Sequence, residues 1–212
     1  MRRLRCLTIL SMLLVLAASP LLAARAEAST QSMQTTLTDS AGSIDAYWER
    51  IFTSYGFDYS TPDLAFEQGT FDSPCKGDAS FAAYCGRDAT IYLDARQIDR
   101  LSTSLGDILP GVLLAHEWGH HLTNLLMPYD GKQVDLSWVD KEWEIEVLAD
   151  CLSGVYIGDL WYRNAMAEGE LADALAFMNE IGDPTHGSGD DRIVGFMHGF
   201  VDGLAGCDVL TE

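Results

Sequence analysis

The chain has 212 residues, with 13 Lys and Arg against 32 Asp and Glu, a formal charge of −19 and 48% hydrophobic residues. That length suits one globular domain with a sizeable core and is too short for two comfortable ones. So acidic a surface repels nucleic acid and anionic membrane, which excludes both as partners and leaves solubility as the plain reading of the charge.

The N-terminus reads as an export signal. "MRRLR" is a basic start, "CLTILSMLLVLAASPLLA" is a long apolar run, and the small-residue sites Ala24-Arg25-Ala26 and Ala26-Glu27-Ala28 follow. The expectation is a signal peptide over residues 1–28 and a mature protein that is secreted or periplasmic. Left uncleaved, the apolar run approaches spanning length and would anchor the chain. The first 26 residues hold four Arg and no acid; without them nine basic residues face 32 acidic ones, a charge of −23. Four cysteines then remain: Cys75, Cys85, Cys151 and Cys207. An even count in an exported chain points to two disulfides, with three possible connectivities. Cys75–Cys85 is the local choice and leaves Cys151–Cys207, rings worth roughly 3 and 4 kcal/mol by loop entropy. No C-x-x-C pair marks a cysteine-bound zinc.

Residues 29–42, "STQSMQTTLTDSAG", are small and polar and read as a disordered lead-in. Residues 43–56 place Ile44, Tyr47, Trp48, Ile51, Phe52 and Tyr55 at helical spacing and end at Gly56. A Pro turn precedes a short strand at 64–67. Residues 70–89 form a loop-rich, disulfide-stapled segment. "TIYLD" (90–94) is β-branched and aromatic, hence a strand, and 95–103 is a short helix. A central helix spans 107–127, with Pro110 in its first turn and Pro128 beyond its end. A polar loop (128–138) leads to a second strong helix at 139–157. A third helix covers 163–182, a turn-rich loop 183–191, and a glycine-loosened helix 192–205. Early short strands followed by helices give an α+β fold in one domain over residues 43–212.

The central helix contains His116-Glu117-Trp118-Gly119-His120, the pattern H-E-x-x-H. Residues i and i+4 on a helix lie about 6 Å apart along the axis and nearly on one face, so two imidazoles can converge on one zinc ion. Glu117, one step round from His116, suits a general base for a water that the metal acidifies. Apolar neighbours (Val112, Leu113, Leu114, Leu122, Leu125) make this helix largely buried. Two His and a Glu buried without partners would be costly, and a metal satisfies all three.

A catalytic zinc needs a third protein ligand and an open position. Glu146 and Asp150 lie one turn apart in the buried part of the second helix, beside Val147, Leu148 and Ala149. Glu146 is the expected ligand. Asp150 is the expected support, accepting the other N–H of a ligating histidine. Glu142 shares that face and Glu144 does not; both sit in the wet end of the helix and read as surface. His121, about 100° from His120 around the helix, reads as a packing residue. His186, in "DPTHGSGDD", reads either as a turn residue or as an oxyanion stabiliser opposite the metal. His198 reads as a satisfied helix histidine. Tyr129 and Tyr162 could also donate to an oxyanion, but nothing local favours either.

"HEWGHH", then "EVLADC" starting 30 residues after the first histidine, then "THGSGDDR", and before them "CKGDASFAAYCGRDATIYLD", together resemble the bacterial neutral zinc metallopeptidases. The resemblance covers roughly residues 57–207. It implies a zincin-like fold of gluzincin type, a small early sheet with helices around the H-E-x-x-H helix. It implies one catalytic zinc on His116, His120 and Glu146, with Glu117 as base and Asp150 in support, and it agrees with the pairs Cys75–Cys85 and Cys151–Cys207. The implied activity is zinc-peptidase action on a polypeptide substrate. In the endopeptidase reading, an exposed edge of the early strands, with residues 90–94 as the candidate, holds that substrate as an added strand. Two other functions use the same residues: an inactive zinc-bound domain that binds peptides or partners, and a structural zinc site closed by His186 or Asp150.

Overall fold

One stripe of apolar side chains, recurring every three or four residues, builds the first element of the computed structural model, which describes residues 6–69, 71–75, 81–126, 142–184 and 186–209. Helix α1 runs from Cys6 to Tyr55. Its inward stripe is Met33, Leu37, Ala41, Ile44, Trp48 and Phe52, all buried. Residues 29–42 are therefore not the disordered lead-in that their composition suggests. Their three apolar residues fall on the stripe. The hydroxyls of Thr35, Thr36 and Thr38 are satisfied by donating to the carbonyls of Gln31, Ser32 and Gln34. The small-residue sites at 24–28 lie within this same helix.

A three-stranded sheet follows, from β1 (Asp63–Phe66), β2 (Ala82–Cys85) and β3 (Thr90–Leu93). Strand β3 is central, parallel to β1 and antiparallel to β2. Strand β2 falls inside a segment expected to be loop, because "AAYC" is too short to show a period of its own. Residues 70 and 76–80 of that segment lie outside the described residues. The central place of β3 overturns residues 90–94 as a docking edge: both of its backbone edges are spent on neighbours, and the sheet's edges are β1 and β2.

Asp94 caps helix α2 (Ala95–Leu105), its carboxylate accepting from the backbone N–H of Arg96 and Gln97. Helix α3 (Leu109–Leu126) carries the H-E-x-x-H motif, and helix α4 (Glu142–Tyr162) carries Glu146 and Asp150. The expected polar loop 128–138 and the start of the second helix at 139–141 lie outside the described residues. Helix α5 (Glu170–Glu180) is shorter than expected. Helix α6 (Gly189–Asp202) begins three residues early because Ser188 and Asp191 form a capping box. A 3₁₀ turn (Gly203–Cys207) closes the fold. Disulfides join Cys75 to Cys85 and Cys151 to Cys207, as expected. The architecture is α+β and mostly helical. Among the described residues no helix is long and apolar enough to cross a membrane.

Two features position the site. Helix α3 is sheathed, with Val112, Leu113, Leu114, Ala115, Trp118 and Leu122 buried between α1 and α4. Helix α6 lies backbone to backbone on α4: a Cβ at Gly199 would stand 1.8 Å from the Cys151 carbonyl oxygen, and one at Gly154 2.0 Å from that of Phe196. Only glycine fits there. Gly199→Ala must force the helices apart, and a loss of about 3 kcal/mol in unfolding free energy is expected. Urea denaturation measures it, and an unchanged midpoint would contradict the close packing.

Candidate metal centre

The helix period sets the first two groups. His116 and His120 stand one turn apart on α3, with their Nε2 atoms 3.1 Å from each other. Helix α4 crosses close by because residue 119 is glycine: a Cβ there would lie 2.6 Å from the Ala149 carbonyl oxygen. This approach brings Glu146 Oε2 to 3.3 Å from His116 Nε2 and 3.5 Å from His120 Nε2. The three ligand atoms thus form a near-equilateral triangle, and these residues could hold a metal ion.

The triangle fits zinc. Ligand bonds of about 2.0–2.1 Å in a tetrahedron put ligand atoms about 3.3–3.4 Å apart, and the observed edges run from 3.1 to 3.5 Å. Two imidazole nitrogens and a carboxylate oxygen are also a donor set that zinc favours. His116 is buried, whereas His120 and Glu146 are partly exposed, so the triangle faces solvent on one side.

Asp150, wholly buried, supports the triangle as expected. His116 Nδ1–H donates to its Oδ1 over 2.8 Å, which leaves His116 Nε2 as the coordinating nitrogen. The other partner of Asp150 was not anticipated. Arg192, from the first turn of α6, donates through Nε to Oδ2 (2.7 Å) and through Nη2 to Oδ1 (2.9 Å). Its Nη2 lies 3.3 and 3.4 Å from the two ring nitrogens of His116 and 3.8 Å from Glu146 Oε2. With both oxygens engaged, Asp150 is not free to close the site as a fourth ligand. One signal pointed to Arg192: it is the one Lys or Arg in residues 164–212 of an acidic chain, and it adjoins the apolar run Ile193-Val194-Gly195-Phe196-Met197.

Charge follows this geometry. Burial pulls the pKa of His116 down, but the Asp150 carboxylate, helped by Glu146, outweighs it and raises the pKa to about 10. Burial would raise Glu146, yet the two imidazoles hold it well below the usual carboxylate range. Burial would depress Arg192, but Asp150, with Glu146 and Glu117, keeps it above its ordinary value. Glu117 itself is buried on α3 beside His116.

The other expected residues fall outside the triangle. His121 is a packing residue: its Nε2–H donates to the Ser60 carbonyl (2.7 Å), so Nδ1 accepts from the Tyr84 hydroxyl (3.1 Å), and burial lowers its pKa. His186 is exposed in the turn before α6, with its ring Nδ1 2.7 Å from Asp183 Oδ2, which fits the turn reading. His198 and Tyr162 are exposed, Glu144 is partly so, and Tyr129 lies outside the described residues.

Comparison with known proteins agrees with this chemistry. A family model described as "Putative neutral zinc metallopeptidase" matches residues 16–210, a span that takes in residues 29–42. The Escherichia coli (strain K12) protein YpfJ is 27% identical over 184 residues, covering 74% of this chain and 63% of its own length. The Mycobacterium tuberculosis (strain H37Rv) protein Rv2575 is 26% identical over 204 residues, covering 81% and 68%. The chain thus spans less than two thirds of the Escherichia coli relative. No solved structure shows a significant match.

Two outcomes are expected. In the cation-free protein His116 holds a proton below about pH 10, and a metal takes the same Nε2 lone pair. Zinc binding at pH 7 should therefore expel a proton, and affinity should rise roughly tenfold per pH unit for that proton. Calorimetry in two buffers of different ionisation enthalpy reads the proton count, and zero release would show that His116 carries no extra proton before the metal binds. Glu146→Ala should cut zinc occupancy, measured by mass spectrometry of the native protein; full occupancy would exclude Glu146.

Proposed function

The chain belongs to the Putative neutral zinc metallopeptidase family, and on that premise we propose that it is an exported zinc endopeptidase with Glu117 as its general base. The observation that carries this reading is the triangle of His116 Nε2, His120 Nε2 and Glu146 Oε2, with edges of 3.1–3.5 Å, on the turn that also holds Glu117.

His116, His120 and Glu146 would hold the ion, and three protein ligands leave a position for water or substrate. Zinc, when bound, supplies Lewis acidity that acidifies water and polarises a peptide carbonyl. The chain's own groups do the rest. Asp150 keeps His116 in the Nδ1–H tautomer, so that Nε2 presents its lone pair. Glu117 takes a proton from the attacking water and delivers it to the leaving amine, so one carboxylate serves as base and then as acid. Burial of Glu117 keeps bulk water from competing for that proton. The exposed ring of His186, turned to Asp183, is given no step. Two disulfides fit an oxidising compartment, which supports export. The substrate is an unfolded or flexible polypeptide.

Wild type and Glu117→Gln, each with zinc content measured, should differ in their action on unfolded casein. The variant should keep zinc and lose about 10²–10⁴-fold in rate. Equal cleavage would remove Glu117 from the role. A zinc-loaded wild type that cleaves nothing would favour a peptide-binding domain instead.

A further inference from the structure

We propose that Arg192 is a positioning residue of the metal centre: its two-point grip on Asp150 fixes the carboxylate that turns His116 Nε2 toward the ion. This rests on the zinc reading above.

The nearby contacts of Arg192 account for little of its placement: Nη1 reaches the Ile181 carbonyl at the end of α5 only at 3.5 Å. Arg192 stands in the first turn of α6, where the helix dipole disfavours a cation, and the end of that helix is already capped by Ser188 and Asp191. Its guanidinium is instead buried against α4, across 42 residues of sequence. Burying a guanidinium is costly, and here the cost is offset by the paired carboxylate, which would in turn be left unpaired without it.

The partner is Asp150, which has no exposed surface. A carboxylate held at one oxygen can swing about its own axis and offer His116 either oxygen. The paired Nε and Nη2 bonds define the carboxylate plane and leave Oδ1 aligned on His116 Nδ1–H. Without that grip the His116 ring loses its orientation and the ligand triangle loosens.

A second effect opposes the first. Arg192 is a cation 3.8 Å from the ligand oxygen of Glu146, so its charge repels an incoming metal. The formal charges of Glu117, Glu146, Asp150, Arg192 and a divalent ion do sum to zero. The two effects predict opposite signs for removal of the guanidinium. If repulsion dominated, a neutral side chain would tighten zinc binding. If orientation dominates, as proposed, it weakens binding.

The test measures zinc affinity by chelator competition, and the visible spectrum of the cobalt-substituted protein, for wild type, Arg192→Lys, Arg192→Met, Asp150→Asn and the Arg192→Lys/Asp150→Asn pair. Lysine keeps the charge and loses the fork. Both single Arg192 variants should bind zinc about 10–100-fold more weakly, with an altered cobalt spectrum. The double variant should be no weaker than Asp150→Asn alone, because Arg192 acts through Asp150. Unchanged or tighter binding in Arg192→Met, or additive losses in the double variant, would overturn the proposal. A wild type that binds no zinc would overturn the metal reading, and this inference with it. A wild type that binds zinc beside an equally tight Arg192→Lys overturns this inference alone. Should the variants not fold, nitrogen-15 spectra of the zinc-loaded wild type decide. A slowly exchanging His116 Nδ1–H close to the Arg192 guanidinium protons supports the proposal, and a freely exchanging one overturns it.

Discussion

A carboxylate with no access to water must find its partners inside the protein, because one buried and unpaired costs several kcal/mol. Asp150 meets that demand with His116 from α3 and Arg192 from α6, both within 3 Å. Three helices are thereby committed to one point. The same hydrogen bond that satisfies Asp150 selects the tautomer of His116, so an electrostatic requirement of folding and the geometry of the ligand triangle are one interaction.

That point is reached only because the backbones come unusually close, and three consecutive residues of α4 divide the work. Ala149 receives α3 at Gly119, where no larger residue fits. Asp150 receives the two charged side chains. Cys151 receives α6 at Gly199 and is tied by its disulfide to Cys207, just past the end of that helix. The disulfide and the glycine contact hold α6 in register on α4, and Arg192 is carried to Asp150 as a consequence. Polar residues at the centre and small ones around it therefore belong to one design: close approach first, then charges within hydrogen-bond reach.

Much of this was legible in the sequence. H-E-x-x-H is a helical spacing, and a helix converts spacing into direction without outside help. The buried i, i+4 pair Glu146 and Asp150 is legible for the same reason, as is the local disulfide Cys75–Cys85. Less was legible where the signal is not periodic within one element. Residues 29–42 are polar on average, and only the placement of Met33, Leu37 and Ala41 on a stripe that continues to Phe52 makes them helix. Strand β2 is four residues long and takes its identity from pairing with β3. The order β1-β3-β2, which spends both edges of β3, is a property of the assembled sheet.

The sequence by itself therefore determined the motif-bearing turn: which two histidines share a face, which glutamate stands beside them, and which later glutamate and aspartate share a second face. Those are intrahelical relations, fixed by 3.6 residues per turn. Only the tertiary structure decided that the two faces meet at 3.3–3.5 Å and that Arg192 reaches Asp150 and His116. Those relations run between helices, over separations of up to 76 residues. They depend on how closely backbones can pack, which no single helix encodes.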